Sequence, residues 1–313
     1  MQQPDSNHHS KAASFPPEVG KLAVVTYSTG GLGYDIALAL AQAGADVIIS
    51  GRNPADGHEA LAKIRPLAPG ALVRFEKLDL ENLASVTDFA ARIARAGRPI
   101  DLLVNNACTL ALLKRQKTVD GFELHLGTNF LSHFALTARL LPLLRRSRQP
   151  KVMSVTSAGR HHGQIHLDDL HLERSYTPLK AYSQSKLAML IFALELQRKS
   201  DTYGWNLTSS AAQPIGAHAA LIANAPEVTG SLGWYRRAVG LAPSQARGGV
   251  MQRLEGGSAV EVEVAATPAA KSLVELIGPP AADALDMRAL DRVMGQTLWT
   301  ISTQLTGSDW PTP

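Results

Sequence analysis

Short apolar runs alternate with helix-length amphipathic stretches along most of this chain. Six runs read as strands: Leu22-Ala23-Val24-Val25-Thr26, Val47-Ile48-Ile49-Ser50, Leu72 to Leu78, Asp101-Leu102-Leu103-Val104, Lys151-Val152-Met153-Ser154-Val155 and Trp205 to Ala211. Helices are predicted over Leu32 to Ala43, Pro54 to about Arg65, Leu83 to Arg95 and Phe122 to Arg146. The run Leu187 to Leu196 predicts a buried helix that begins near Tyr182. Strands that are apolar throughout and separated by helices imply a parallel sheet covered on both faces. The expected fold class is therefore α/β, a doubly wound parallel sheet. No repeat and no linker divides residues 20–307, which read as one domain between a disordered leader (1–19) and a C-terminal tail (308–313). Past Pro214 the pattern is less regular. A helix is expected over Ser244 to Leu254, and Arg288 to Leu305 predicts a late helix that ends before Gly307.

Three places in this pattern carry chemistry. Thr26-Tyr27-Ser28-Thr29-Gly30-Gly31-Leu32-Gly33 joins the first strand to the first helix. There a doubly wound, Rossmann-type fold sets a dinucleotide pyrophosphate on the helix N-terminus. Just past the second strand, Ser50-Gly51-Arg52-Asn53 offers no carboxylate for ribose hydroxyls, whereas the Arg52 guanidinium suits a 2′-phosphate. NADP(H) is therefore expected over NAD(H). Tyr182 and Lys186 stand four residues apart, on one face of a helix. An ammonium near a phenol favours the phenolate, so the tyrosine can exchange a proton near neutral pH. Ser157 closes the fifth strand, at the sheet edge where open α/β folds bind ligands.

Composition narrows the picture. At 313 residues the chain can bury one large core or two smaller ones, and the pattern favours one. A net charge of +4 without a basic block gives no sign of nucleic-acid binding. The single Cys108 permits no internal disulfide, fits a reducing compartment, and reads as a small packing residue. No stretch approaches the roughly 20 apolar residues of a membrane helix, and Met1 to Pro17 has no apolar signal core. The expected location is cytoplasmic. His161, His162, His166 and His171 cluster after the fifth strand without zinc-site helical spacing, so they read as a polar loop and no metal is expected.

These segments together resemble the short-chain dehydrogenase/reductase family, and within it the retinol-dehydrogenase-like oxidoreductases. The likeness covers about residues 20–307 and thins over about 256–280. The family pattern Thr-Gly-x-x-x-Gly-x-Gly is matched at Thr26, Gly31 and Gly33, with Tyr27 in place of the first glycine. Leu78-Asp79-Leu80 resembles the adenine-contacting segment, and Asn105-Asn106-Ala107 resembles Asn-Asn-Ala-Gly with Cys108 in place of the glycine. The Pro-Gly-x-x-x-Thr of relatives reads Pro214-Ile215-Gly216-Ala217-His218-Ala219 here.

The resemblance implies a catalytic tetrad of Asn129, Ser157, Tyr182 and Lys186. It implies NADP(H) contacts at Thr26, Ser28, Gly31, Leu32, Gly33, Arg52, Asp79, Leu80, Asn106, Ala107, Tyr182, Lys186 and Pro214. Hydride would pass to or from a hydrophobic ketone, aldehyde or secondary alcohol. Tyr182 would serve as general acid or base, Lys186 would lower its pKa, Ser157 would orient the carbonyl and Asn129 would hold a relay water. Residues 215–241, with Trp234 and Tyr235, would line an apolar substrate pocket. A homodimer or homotetramer through the Phe122–Arg146 and Tyr182 helices is expected from the family. The substitutions at Tyr27, Ile215 and Ala219 keep a second reading open: a non-redox lyase, isomerase or dehydratase using Tyr182 and Lys186. A binding or scaffold protein with a relict site is the third.

Overall fold

Six apolar strands run parallel, and each is joined to the next by a helix that crosses back over the sheet. The computed structural model of the chain describes residues 17–109, 114–214, 260–261 and 291–311. In it β1 (Leu22–Val25), β2 (Asp46–Gly51), β3 (Val73–Lys77), β4 (Leu102–Asn105), β5 (Lys151–Val155) and β6 (Thr208–Pro214) alternate with α1 (Gly31–Gln42), α2 (Pro54–Leu67), α3 (Leu83–Arg95), α4 (Ser132–Leu144) and α5 (Pro178–Tyr203). The sheet order is β3-β2-β1-β4-β5-β6, with a two-residue antiparallel β7 (Val260–Glu261) beside β6. A last helix, α6, spans Arg292–Thr306. This is the doubly wound sheet that the apolar runs imply. The expected substrate segment 215–241 and the expected helix over Ser244 to Leu254 lie outside the described residues.

Alternate strand residues face opposite sides, so each central strand feeds two cores. Leu22, Val24, Ile48, Leu103 and Val152 face the layer of α3, α4 and α5. Ala23, Val25, Val47, Ile49, Val104 and Met153 face α1 and α2. Val24 stands between Ile48 and Leu103, and Leu103 pairs onward to Val152, so the apolar rows align across the sheet.

Two of the boundaries that differ from the sequence expectation have a visible cause. The helix expected to begin at about Phe122 begins at Leu124, with Leu126–Leu131 π-helical. Residues before it fold back, with Lys117 bridged to Glu123 and the Leu124 N–H donating to Gln116 O at 3.0 Å. The buried Glu123 carboxylate then accepts from the His125 and Leu126 N–H groups at 3.0 and 2.8 Å, supplying acceptors to a helix start that lacks them. α4 continues directly from the π-helical stretch. The sixth strand starts at Thr208, because Trp205 N–H closes the turn after α5 by donating to Ser200 O at 3.1 Å. Inside the span read as a leader, Glu18 N–H donates to Ala43 O at 2.8 Å.

α6 lies across α5 and α4. Trp299 stands edge-on to Phe134 with ring centroids 4.9 Å apart and stacks on Phe192 at 6.0 Å. Trp310, in the span read as a tail, is buried against Trp299, Phe134 and Trp205. The Lys199 ammonium sits 4.8 Å from the Trp299 ring centroid, closing the aromatic cluster on its wet side. The aromatic face shared by α4 and α5 is thus covered from within the chain. Replacing Trp299 by Ala should lower stability by about 3–5 kcal/mol, the range for emptying a large aromatic site. Urea unfolding of the full chain checks it, and a loss below about 1 kcal/mol would show that α6 only rests on the surface.

Candidate active site

The sheet order reverses direction between β1 and β4, so their carboxyl ends open a crevice between the chain segments that leave them. The turn after β1 enters this crevice. Its second residue, Tyr27, has φ of +52°, the left-handed conformation that a glycine adopts freely. The tight turn is therefore kept without the glycine, at a backbone cost of about 1–2 kcal/mol. The Tyr27 side chain stays 44% exposed. Gly33 is required for close approach: a Cβ there would lie 2.3 Å from Tyr27 O and 2.5 Å from Asn106 Nδ2. Ser28 is spent on structure. Its hydroxyl donates to Val25 O at 2.8 Å and accepts from the Ser50 N–H at 2.9 Å, pinning the turn to β2.

The residues fit a dinucleotide diphosphate at α1. Asn53, Asn82, Thr177 and Asp291 cap α2, α3, α5 and α6 with side-chain oxygens, but α1 has no side-chain cap and no acid in its first turn. Side chains built at Gly30 or Gly31 would meet nothing within 4 Å, so the N-terminal N–H groups face open space. Asp35, one turn further, is half-buried, and burial pushes its carboxyl up to about 6.

Of the four residues expected to form a tetrad, Ser157 follows β5, Tyr182 and Lys186 stand near the start of α5, and Asn129 lies on the π-helical segment. Asn129, Ser157, Tyr182 and Lys186 are all buried. Ser157 caps the short 3-10 turn Ala158–His162, its Oγ accepting from the Gly159 N–H at 3.1 Å. A Cβ on Gly159 would lie 2.8 Å from Tyr182 Cε1 and 3.5 Å from Ser157 Oγ, so this glycine lets the serine turn press against the tyrosine ring. Lys186 Nζ donates to Val155 O at 3.1 Å and forms no ion pair among the described residues. A buried ammonium without a carboxylate leaves its positive potential available beside the tyrosine on the preceding turn.

Asn129 lies within the π-helical segment and joins two neighbours. Its Nδ2 donates to Thr109 O at 3.2 Å and Ser185 Oγ at 3.0 Å, and its Oδ1 accepts from the Thr109 N–H at 2.7 Å. Both amide hydrogens are thus engaged by protein, and a relay water would be accepted only by carbonyl lone pairs.

The remaining expected cofactor residues are dispersed around the same crevice. Asn106 Nδ2 donates to Thr26 O at 3.0 Å and Tyr27 O at 3.2 Å, so it braces the turn. Asp79 Oδ1 accepts from the Glu81 N–H at 3.0 Å, and Leu80 O accepts from Ser132 Oγ at 2.6 Å, fixing that loop over α4. Arg52 is paired with Glu81 at 2.5 Å, so a 2′-phosphate would compete with a carboxylate for its guanidinium. Pro214 ends β6, and Ala107 is buried at the end of the β4 edge. Among the described residues no three His, Cys, Asp or Glu side chains converge as metal ligands.

Sequence reading missed three buried groups. Arg160 is fully buried and its Nη1 donates to Ser157 O at 3.3 Å. Glu123 and His125 form a buried pair at 2.9 Å, which helps hold the Glu123 carboxyl below the usual range against the opposing pull of burial. The His125 ring stands edge-on to Tyr182 with centroids 6.4 Å apart, and its Nε2 has no partner among the described residues. The third is His133, four residues past Asn129. Only the Glu-x-His spacing and the i, i+4 placement could have flagged them.

Two outcomes follow from the turn and α1. Tyr27→Gly relieves the left-handed strain but adds unfolded-state freedom, and should raise stability by roughly 0.5 kcal/mol in coenzyme-free urea unfolding; a loss would mean that Tyr27 contributes packing. Asp35 has a folded pKa near 6, above its ordinary 3.8, so the stability it contributes is full below 3.8 and is lost as pH rises through about 6. Asp35→Asn should therefore raise the urea midpoint at neutral pH and give no such gain below about pH 4. An equal gain at both pH values would contradict a charge effect.

The comparisons with known proteins meet this geometry from outside. Residues 21–225 match the short chain dehydrogenase family. Polyprenol dehydrogenase of Mus musculus is 44% identical over 204 residues, covering 64% of this chain and 61% of that protein. Retinol dehydrogenase 11 of Mus musculus is 36% identical over 202 residues, covering 64% and 63%. The chain thus matches about three fifths of the length of these relatives. Among solved structures, an uncharacterized protein from Mycobacterium paratuberculosis superposes with a TM-score of 0.71 at 32% identity, covering 96% of this chain and 98% of that one. The Pseudomonas aeruginosa RhlG/NADP complex superposes with a TM-score of 0.50 at 26% identity, covering 64% and 72%. With a family match over residues 21–225 and a doubly wound sheet that gathers Asn129, Ser157, Tyr182 and Lys186, the chain belongs to the short chain dehydrogenase family.

Proposed function

We propose that this oxidoreductase of the short chain dehydrogenase family is an NADP(H)-dependent carbonyl reductase or alcohol dehydrogenase. Its substrate is a hydrophobic ketone, aldehyde or secondary alcohol, and the names of its polyprenol and retinol dehydrogenase relatives extend that class to long isoprenoid alcohols and their aldehydes. The observation that carries the reading is the buried, carboxylate-free Lys186 held against Val155 O, one helical turn from Tyr182 and beside the serine turn.

Thr26, Gly31, Leu32 and Gly33 form the first turn of the dinucleotide site, with the diphosphate on the uncapped start of α1. Asp79, Leu80, Asn106, Ala107 and Pro214 border the rest of it. Arg52 exchanges Glu81 for the 2′-phosphate. Bound coenzyme supplies hydride exchange at its nicotinamide. Tyr182 gives a proton to the carbonyl oxygen or takes one from the alcohol. Ser157 donates a hydrogen bond to the same oxygen. Lys186 favours the phenolate and reaches the nicotinamide ribose. Asn129 keeps the start of α5 and the β4 loop in register through Ser185 and Thr109. A homodimer or homotetramer built on α4 and α5 has to form around α6 or displace it.

Nicotinamide fluorescence during titration with NADPH and NADH, followed by turnover with all-trans-retinal as the probe aldehyde, tests this reading. The expected result is tighter NADPH than NADH binding, a preference reduced by Arg52→Ala, and a loss of about 10²–10⁴-fold in kcat for Tyr182→Phe with NADPH affinity retained. No binding of either coenzyme would move the non-redox reading ahead.

A further inference from the structure

A line of hydrogen bonds crosses the buried interior between the coenzyme turn and the π-helical segment that carries Asn129, and His133 is its middle member. His133 is fully buried. Its Nδ1 lies 2.9 Å from the backbone oxygen of Asn129, which can only accept. That nitrogen therefore carries the proton. Its Nε2 lies 3.0 Å from Thr26 Oγ1. A neutral ring protonated at Nδ1 has an acceptor at Nε2, so the Thr26 hydroxyl donates to it. The competing acceptor, Val104 O, is further away at 3.3 Å. The same Thr26 oxygen accepts from the N–H groups of Asn106 at 2.8 Å and Ala107 at 3.0 Å. Each of these polar atoms is satisfied, and each bond has one direction.

Only the neutral imidazole can complete this line. Burial, with the Lys186 ammonium of α5 as the charged group bearing on the ring, pushes His133 down to about 4, against an opposing pull from the Asn129 carbonyl. Thr26 stands on the turn before α1, and Asn129 on the π-helical segment before α4. Among the described residues no other side chain joins these two elements directly.

We propose that His133 is a positioning residue that ties the first βα turn to the Asn129 carbonyl, coupling the coenzyme turn to the π-helical segment that carries Asn129. The inference rests on the coenzyme reading above. Its two bonds can be cut separately. His133→Gln keeps reach toward Thr26 and loses the Nδ1 donor. His133→Asn keeps a donor near the Nδ1 position and loses reach to Thr26.

The test uses the full chain, with NADPH and all-trans-retinal as probes. A neutral–neutral hydrogen bond is worth about a factor of ten. His133→Asn should raise KM for NADPH about tenfold with kcat within about twofold, and His133→Gln should do the reverse. Equal losses in both variants, or none, overturn the proposal. Amide hydrogen exchange gives a readout that needs no coenzyme. Exchange should quicken at Asn106 and Ala107 in His133→Asn and at Thr109 in His133→Gln, with the amides of α2 unchanged. Ring ¹⁵N spectra of the unaltered chain should show the neutral Nδ1–H form of His133 down to about pH 5, whereas a ring titrating near its ordinary value of about 6.5 would overturn the proposal. If the unaltered chain binds no NADPH, the coenzyme reading fails, and the exchange pattern still decides whether His133 joins the two elements.

Discussion

Everything at this site depends on the parting of β1 and β4. Their connections leave in opposite directions, so the carboxyl edge of the sheet opens where two neighbouring strands end. A backbone bond from the Thr26 N–H to Val104 O, at 3.0 Å, holds the two ends together at that point. The first turn, the Asn106 segment and, through His133, the π-helical segment are then hung from one hydroxyl. β5 stands next in order, which brings Ser157 to the same edge, and α5 returns over β5 to place Tyr182 and Lys186 above it. Topology puts the chemistry in one place before any side chain acts.

The interior beneath that edge is unusually polar for a core, and polarity there is costly unless each group is paired. Thr156 Oγ1 donates to Lys186 O at 2.9 Å, Ser185 Oγ to Tyr182 O at 2.7 Å, and Lys186 Nζ to Val155 O. The first and last of these bonds lock α5 in rotation and height against β5, and the Ser185 bond stays within α5. Glu123 does the same at the other helix, with three bonds on one carboxylate. One exception lies at the site: among the described residues His125 Nε2 is buried without a partner, and its ring meets Tyr182. A polar atom left unpaired in a core is opposed by about 1–3 kcal/mol, so its persistence next to the tyrosine singles out that wall of the site.

The sheet was legible because strand periodicity and covalent order are local signals. The β5 strand and α3 fall where the pattern predicts them, and the other strands differ by a residue or a few. The start of the helical run that leads into α4 was not legible, because the side chain that caps it, Glu123, acts from outside the helix and is read as part of an amphipathic run. The late helix was visible, but its docking on α4 and α5 was not, since Trp299 and Trp310 find Phe134 and Phe192 only in three dimensions. The four residues expected to form a tetrad were legible as a set of spacings. The buried polar groups around them, Arg160, Glu123, His125 and His133, were not, because a buried polar residue has the same letter as an exposed one.

Tyr27 shows how a motif can be broken in letters and kept in geometry. The pattern asks for glycine because the turn needs a left-handed residue there, and Tyr27 supplies that backbone at a cost of about 1–2 kcal/mol. The close approach that no side chain could survive is at Gly33, and that glycine is present. Strain of this size persists only where the surroundings over-determine it. Here they do: Ser28 ties the turn to β2 on one side, and Asn106 ties it to β4 on the other. The turn is therefore held by its neighbours rather than by its own preferences. The substitution at position 27 alters the surface presented to a dinucleotide more than the path of the chain beneath it.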